Sequence, residues 1–339
     1  MHGVLLGTAL GDAIGLPFEG LSPGRVARRL RGRALDHSLV LGRGMISDDT
    51  EHACMVGRAL VESGGNVSVF QRSLARQLRR WFAALPPGVG FATARACIRL
   101  WLGFGPTRSG VDSAGNGPCM RAALIGVYAR DDAQLERLVE ASTIITHRDP
   151  RALDGALLVA RWARRGSGDP DAVLGAVAGI RDGEFEKRVR RAAAAAASGC
   201  SLDEFRVLAR LQAGPTGFVV ETMTAVTFCW LRHRDRPADA IAAAVALGGD
   251  TDTVAAIVGA LLGAELGARD LAARVPVTWS TRLRDWPVSV EHLRRLAAAL
   301  GSPDEGAPRI SWLASFSRNL AMLAIVLGHG FARLWPGPR

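Results

Sequence analysis

Apolar residues recur along this chain at three- and four-residue intervals almost from end to end, the spacing that paints one stripe on an α-helix. Alternating β-branched runs, the mark of strands, are scarce, and the helix formers Ala, Leu and Arg fill most segments. The pattern predicts helices beginning near Met1, Asp49, Val67, Val89, Gly117, Asp131, Pro150, Pro170, Phe185, Ser201, Phe218, Pro237, Thr251, Ser289 and Ile310. Ser201 with Glu204 three residues on reads as a capping box, and Pro150 and Pro237 suit a first helical turn. Breaks fall at Pro86-Pro87-Gly88, Gly105-Pro106, Gly166 to Pro170, Gly214-Pro215 and Gly301 to Pro308. The expected fold is all-α: one compact multi-helix domain over residues 1–300, then a linker and an apolar helix over 301–339.

Glycine interrupts this pattern in a regular way. Gly7, Gly11 and Gly15 recur every fourth residue, as do Gly259, Gly263 and Gly267, so each set lines one helical face. A glycine costs about 1 kcal/mol in a helix relative to alanine. Close backbone approach is the compensation expected, and it would hold two segments beside the polar loops described next.

Those loops are Ser47-Asp48-Asp49-Thr50 and Gly248-Gly249-Asp250-Thr251-Asp252-Thr253, about two hundred residues apart, each immediately before an apolar helical run. Either one alone reads as an ordinary N-cap. Brought together, their aspartates would repel one another, whereas with hard divalent cations between them the same groups form an oxygen-only ligand shell. Adjacent Asp48 and Asp49 diverge by about 100° on a helix, enough to face two ions. The pair of loops reads as a two-metal hydrolase. Asp250-Thr251-Asp252 also fits the nucleophile loop of haloacid-dehalogenase phosphatases. That loop follows a buried strand, however, and Ala240 to Leu247 is a run of helix formers.

Composition narrows the partners. The 339 residues are 48% hydrophobic and carry a net charge of +10, yet Lys187 is the only lysine. The arginines are scattered in ones, twos and threes rather than gathered in a stripe, so no nucleic-acid partner is expected. Five separated cysteines in apolar contexts, with no CxxC pair, point to buried reduced thiols and a cytoplasmic protein. Met1 to Gly7 has no basic region ahead of an apolar one and does not read as a signal peptide. The apolar run Leu320 to Leu327 is too short to span a bilayer, which takes ~20 residues. A buried C-terminal helix is expected there, with an interfacial helix over 312–335, flanked by Trp312 and Trp335, as the alternative.

Taken in order, Gly7-Thr8-Ala9-Leu10-Gly11-Asp12-Ala13-Ile14-Gly15-Leu16-Pro17-Phe18-Glu19, the Ser-Asp-Asp-Thr loop, Asn116-Gly117-Pro118-Cys119-Met120-Arg121, Thr146-His147-Arg148-Asp149-Pro150 and the Gly-Gly-Asp-Thr-Asp-Thr loop strongly resemble the ADP-ribosylglycohydrolases. The resemblance covers about residues 3 to 267. It implies a single compact orthogonal multi-helix domain with two Mg²⁺ or Mn²⁺ ions in a cleft. It also implies cleavage of the C1″ bond between ADP-ribose and an acceptor on a protein or small molecule. Carried over, Ser47, Asp48, Asp49, Asp250, Asp252 and Thr253 match metal ligands, and Glu19, Asp48 and Asp49 are the candidate catalytic carboxylates. By its own chemistry Glu19 is a solvated carboxylate after a Pro-Phe turn.

Gly115, Asn116 and Gly117 match a loop that wraps the distal ribose and diphosphate, where glycine lets the backbone come close. Asp112 is a candidate for a ribose hydroxyl, and His147 for a ribose or phosphate contact or a structural place at a helix entrance. Arg121 either supports a carboxylate or is structural. Ala114 stands where some relatives carry an adenine-stacking aromatic. Phe218 could stack instead, or could staple the helix that follows it. Two other readings stay open: hydrolysis of a different ribosyl or nucleotide conjugate, and a non-catalytic ADP-ribose-binding or structural relative.

Overall fold

The computed structural model describes residues 1–168, 170–302 and 306–334. Seventeen α-helices occupy them. The first eight are α1 His2–Gly15, α2 Pro23–Leu30, α3 Asp48–Ser63, α4 Val67–Ala83, α5 Phe91–Trp101, α6 Ala123–Tyr128, α7 Asp132–Thr143 and α8 Pro150–Arg165. There follow α9 Pro170–Val177, α10 Gly183–Ala197, α11 Leu202–Leu208, α12 Val219–Arg232, α13 Pro237–Ala246, α14 Thr251–Ala273, α15 Val277–Thr281, α16 Val290–Gly301 and α17 Trp312–Leu334. Among the described residues the only β pairing is isolated bridges between loops. The all-α expectation holds, and Ala240 to Leu247 is helical with its closing turn, which removes the strand that a phosphatase loop needs. Two helices absent from the expected set appear, α2 and α15, of eight and five residues.

The centre of the fold is the antiparallel pair α1 and α14. A Cβ on Gly7 would lie 2.0 Å from the Gly259 carbonyl oxygen, one on Gly11 2.0 Å from that of Ala255, and one on Gly15 2.5 Å from that of Thr251. The backbones are therefore in direct contact, and only hydrogen fits between them. Two details differ from expectation. Gly3 extends the series, its absent Cβ falling 2.0 Å from the Gly263 oxygen. Gly267 also meets α1, its Cα lying 2.8 Å from where a Gly3 Cβ would be, but at φ 74° and ψ 169° it breaks the α14 helix there, a conformation that glycine adopts at little cost. Both helices are buried almost throughout where they touch. They start or end at the polar loops, so their contact fixes where those loops meet.

The C-terminal helix departs from the buried helix expected. It docks through Trp312, Arg318, Asn319 and Met322, but Leu313, Leu320, Leu323, Val326 and Leu327 stay 38–67% exposed. Apolar residues run around more than one side of this helix, and the body of the protein offers a surface to only one of them. Trp335 lies outside the described residues, as do residues 169 and 303–305 within two of the expected breaks. No described helix is long and apolar enough to cross a membrane. Of the five free cysteines, four are buried and Cys200 is half-buried.

Candidate active site

The site is assembled by backbone pairing between loops. Gly248 and Gly249 both take φ of 70°, and a Cβ on Gly249 would fall 2.1 Å from the Pro215 oxygen. This doubled left-handed turn is open to glycine and costly for other residues. It lets Gly249 exchange hydrogen bonds with the chain just after Glu19: Gly20 N to Gly249 O and Gly249 N to Leu21 O, both 2.8 Å. Asp250 N donates to Pro215 O at 2.8 Å. On the other side, Asn116 N donates to Gly217 O at 3.0 Å and Val219 N to Ala114 O at 2.9 Å. Glu19, Asp250 and Asn116 are thereby delivered to one cleft by three different segments.

The two acidic loops meet. Thr253 Oγ1 donates to Asp49 Oδ2 at 3.1 Å across 204 residues of sequence. Ser47 caps α3 by accepting from Asp49 N, and its hydroxyl donates to Asp49 Oδ2 at 3.2 Å. Asp250 stands at the N-cap position of α14, but its carboxylate closes no cap bond there; it accepts from Asn116 Nδ2 at 2.6 Å. The same amide reaches Thr222 Oγ1 at 2.9 Å. Capping thus accounts for Ser47 and does not account for Asp250.

Beneath both loops lies Asp12, carried there by the glycine-faced helix α1. It is fully buried, and its two oxygens accept from Ser47 N at 2.9 Å each, from Thr50 N at 3.2 Å and from the Thr50 hydroxyl. It therefore gathers the unpaired donors at the start of α3. The available signal was an acidic residue in an otherwise apolar glycine-faced helix. Burial raises its pKa to about 6 even against those hydrogen bonds. Burial and crowding raise the others as well. Asp48 is pushed well up by burial and by Asp12, Glu51 and Glu19, and Asp49 by burial and by Asp48, Asp12 and Asp250. Asp252 is pushed well up by burial and by Glu19, Asp250, Asp49 and Asp12.

A cleft of about 500 Å³ opens over these groups. Glu19, Asp48, Asp250, Asp252 and Thr253 line one part, while Gly115, Asn116, Gly117 and His147 line another. Phe91, Thr93 and Thr216, none of them singled out by the sequence, also line it, as does Met120. A larger cavity of about 860 Å³ lies between α3, α4 and the 306–315 segment; none of these aspartates lines it, although Glu51 of α3 does. Ser47 and Asp49 sit below the cleft floor, and Asp112 is exposed outside the lining set. Phe218 also lies outside it. Its ring is covered by the Arg151 guanidinium, 5.4 Å from the centroid, and its backbone bridges to Gly115.

Arg121 meets no carboxylate. It is buried and donates to Ser142 Oγ and O and to Thr146 Oγ1, with His52 Nδ1 at 3.0 Å, which makes it a strut tying the Cys119–Arg121 turn to α3, α7 and the loop after α7 rather than an anion partner. His147 is buried under the glycine loop, where a Cβ on Gly115 would fall 2.7 Å from its Nε2. Burial, with nearby Arg121 second, drives its pKa down to about 3. The ring is therefore neutral at pH 7, and Nδ1 lies 2.9 Å from Thr146 Oγ1. Its ¹³Cε1 and ¹Hε1 shifts are expected to stay constant between pH 8 and pH 5. An inflection in that interval would show that the ring is solvated.

Chemically, the cleft combines carboxylate and hydroxyl oxygens on one wall with amide, glycine backbone and neutral imidazole on the other. Asp49 Oδ1 and Asp252 Oδ1 are buried without a hydrogen-bond partner. Among the described residues no three His, Cys, Asp or Glu side chains stand at metal-holding spacing; the carboxylates are drawn toward hydroxyl and amide donors instead.

Comparison with known proteins agrees with this arrangement. The chain is 28% identical over 314 residues to the ADP-ribosyl-[dinitrogen reductase] glycohydrolase of Rhodospirillum rubrum, covering 88% of this chain and 94% of that one. It is 27% identical to the ADP-ribosylarginine hydrolase Tri1 of Pseudomonas putida (88% and 76% covered) and 25% identical to the zebrafish, Danio rerio, ADP-ribosylhydrolase ARH3 (87% and 89%). A solved structure described as an ADP-ribosylglycohydrolase-related protein complex superposes with a TM-score of 0.62 at 26% identity, covering 88% of this chain and 95% of that one. Residues 1–308 match the sequence profile of ADP-ribosylglycohydrolases, and with the paired acidic loops converging on one cleft, this chain belongs to the ADP-ribosylglycohydrolase family.

Proposed function

We propose that this protein hydrolyses the C1″ glycosidic bond between ADP-ribose and an acceptor, a protein side chain in the first instance, and releases ADP-ribose. The observation that carries the reading is the Thr253 to Asp49 contact, which joins two distant acidic loops at the floor of a cleft walled by Asn116 and the flanking glycines. The named relatives that act on ADP-ribosylated dinitrogen reductase and on ADP-ribosylarginine support the substrate class.

Ser47, Asp48, Asp49, Asp250, Asp252 and Thr253 are the groups that would hold two divalent cations, Mg²⁺ or Mn²⁺. The orphaned Asp49 and Asp252 oxygens and the mutual repulsion of these aspartates fit hard, oxygen-seeking ions. Such ions supply Lewis-acid charge and lower the pKa of water. The remaining work falls to the chain itself. The Gly115-Asn116-Gly117 backbone can approach ribose and diphosphate closely, and Asn116 offers both a donor and an acceptor to hydroxyls. His147, held neutral, can hydrogen-bond a ligand without a charge. Glu19, exposed at the cleft edge, and Asp48 are the carboxylates open to the attacking water's proton. The anionic wall also favours the positive charge that develops at C1″ as the acceptor leaves.

The test is a panel of ADP-ribosylated acceptors, with arginine, serine and small-molecule conjugates, assayed with Mg²⁺, with Mn²⁺ and after chelation. Asp250→Ala serves as the blank. Turnover of at least one conjugate is expected with metal and not after chelation. Full activity after chelation, or in Asp250→Ala, would overturn the reading.

A further inference from the structure

The chain that leads into the Ser47-Asp48-Asp49 loop is held from two sides. From inside the family segment, Asp12 takes the Ser47 amide. From outside it, Ile46 is held by a buried ion pair whose cation comes from α17. Arg318 and Asp285 are 5% and 2% exposed and meet at 2.5 Å between Nη2 and Oδ2, with a second contact at 3.2 Å from Nε to Oδ1. The same Arg318 Nη2 donates to the Ile46 carbonyl, and the same Asp285 Oδ2 accepts from the Ile46 amide at 2.9 Å. Both backbone groups of the residue next to Ser47 are therefore satisfied by one buried pair. Glu51, in the first turn of α3, lies 3.8 Å from Arg318 Nη1 and accepts from Trp81 Nε1 at 2.6 Å.

The arginine is itself fixed. Asn319 Oδ1 accepts from Arg318 Nη1 at 3.2 Å, Asn319 Nδ2 donates to Ala84 O at 2.9 Å, and Trp312 Nε1 donates to Arg80 O at 3.1 Å. These anchor α17 to the end of α4. The family profile ends at residue 308, whereas α17 begins at Trp312. Ile46 and Asp285 lie inside the matched segment, and the Arg318 half of the clamp lies beyond it.

We infer that α17 is a working part of the hydrolytic site and that Arg318 is a positioning residue, acting through Asp285 and Ile46 to aim Asp48 and Asp49. A guanidinium suits the task because its planar fork bonds carboxylate and carbonyl together, which an ammonium does less well. Breaking the pair would leave Asp285 buried without its cation and free the Ile46 carbonyl, loosening the entrance to α3. The opposite wall of the cleft, Ser113 to Gly117 and Pro215 to Gly217, has no hydrogen bond to α17 among the described residues and should keep its shape. The inference rests on the hydrolytic reading for its kinetic arm only.

The test uses the full chain carrying Arg318→Met, Arg318→Lys, Asp285→Asn, or Arg318→Met with Asp285→Asn. A displacement near 1 Å at a catalytic group costs up to about 10²-fold in rate. Arg318→Met should therefore lower kcat by about 10- to 10²-fold with KM within about threefold, and Arg318→Lys should recover part of the loss. Asp285→Asn should add little once Arg318 is gone. Independently of activity, amide exchange at Ser47 to Thr50 should quicken at least about tenfold in Arg318→Met, with α10 and α12 unchanged. Unchanged kcat and exchange at the loop, or exchange quickened equally everywhere, would overturn the positioning role. If Arg318→Met does not fold, the milder Arg318→Lys carries both readouts. Absence of turnover in the unaltered protein would sink the hydrolytic reading alone, because the exchange result would still decide the clamp.

Discussion

Asp252→Asn is expected to reduce hydrolysis at least ~10²-fold and, in protein stripped of divalent cations, to raise the melting temperature by a few degrees. The two effects have one cause. Asp252 is buried beside Glu19, Asp250, Asp49 and Asp12, and burial and their charges push its carboxyl well above the usual range. A carboxylate in that setting opposes folding, so a neutral amide of the same shape relieves the cost. The charge that destabilises the empty site is the one a cation would need, and losing a charged ligand worth several kcal/mol to the transition state removes two or more decades of rate. Added Mg²⁺ or Mn²⁺ should reverse the order of stability: ligand linkage raises the melting temperature of the unaltered protein and leaves Asp252→Asn nearly unmoved. Equal responses of the two proteins in a thermal melt would count against a cation site at Asp252.

The pH dependence follows in sign. A carboxyl whose folded pKa exceeds its unfolded value near 4 favours the folded state when protonated. Its contribution is intact below that value and is lost as pH rises through the folded pKa, which for Asp12 is about 6. Cation-free protein should therefore lose stability as pH climbs from about 4 past 6, and Asp252→Asn should lose less. Urea midpoints across that range measure the difference.

Gly11→Ala is expected to destabilise the protein by about 3 kcal/mol or more, opposite in sign to what helix propensity alone gives. Alanine is better than glycine inside a helix by about 1 kcal/mol. Here the new methyl would fall 2.0 Å from the Ala255 carbonyl oxygen and 2.8 Å from the Ala256 nitrogen, both backbone atoms that no side-chain rotation can move. Relief requires α1 and α14 to separate, and that would carry Asp12 away from Ser47 and the Asp250 loop away from Asp49. Overpacking usually costs 1–3 kcal/mol, and a clash between two buried backbones belongs at or beyond the top of that range. Gly175→Ala in α9 is the matched control: nothing lies within 4 Å of its Cβ position, so it should stabilise by about 0.5–1 kcal/mol. If both substitutions shifted the urea midpoint upward, the close contact of α1 with α14 would be refuted.

Much of the site was legible before the fold was known, because its signals are local. Ser47 ahead of an apolar run announces a cap, and a cap it is. Gly248-Gly249 announces a turn that other residues would strain to make, and both take the left-handed conformation. The four-residue glycine spacing announced a bare helical face. It could not announce that Gly267, besides meeting Gly3, also breaks the α14 helix, since one glycine serves either purpose and only the neighbours choose. Phe218 was equally ambiguous. Its ring was claimed by Arg151 from α8, a partner that no local pattern connects to it.

The sequence by itself determined the helices, the loops that end them and the oxygen-rich chemistry of two of those loops, because hydrophobic period, capping and turn preference act within a few residues. The tertiary structure decided which of those oxygens meet. Thr253 finds Asp49, Asp12 draws both Ser47 and Thr50, and Arg318 reaches back to Ile46 across 272 residues. Such contacts are set by how backbones pack at the α1–α14 seam and by where buried charges find partners. Those are properties of the folded surface as a whole, and no window of the chain contains them.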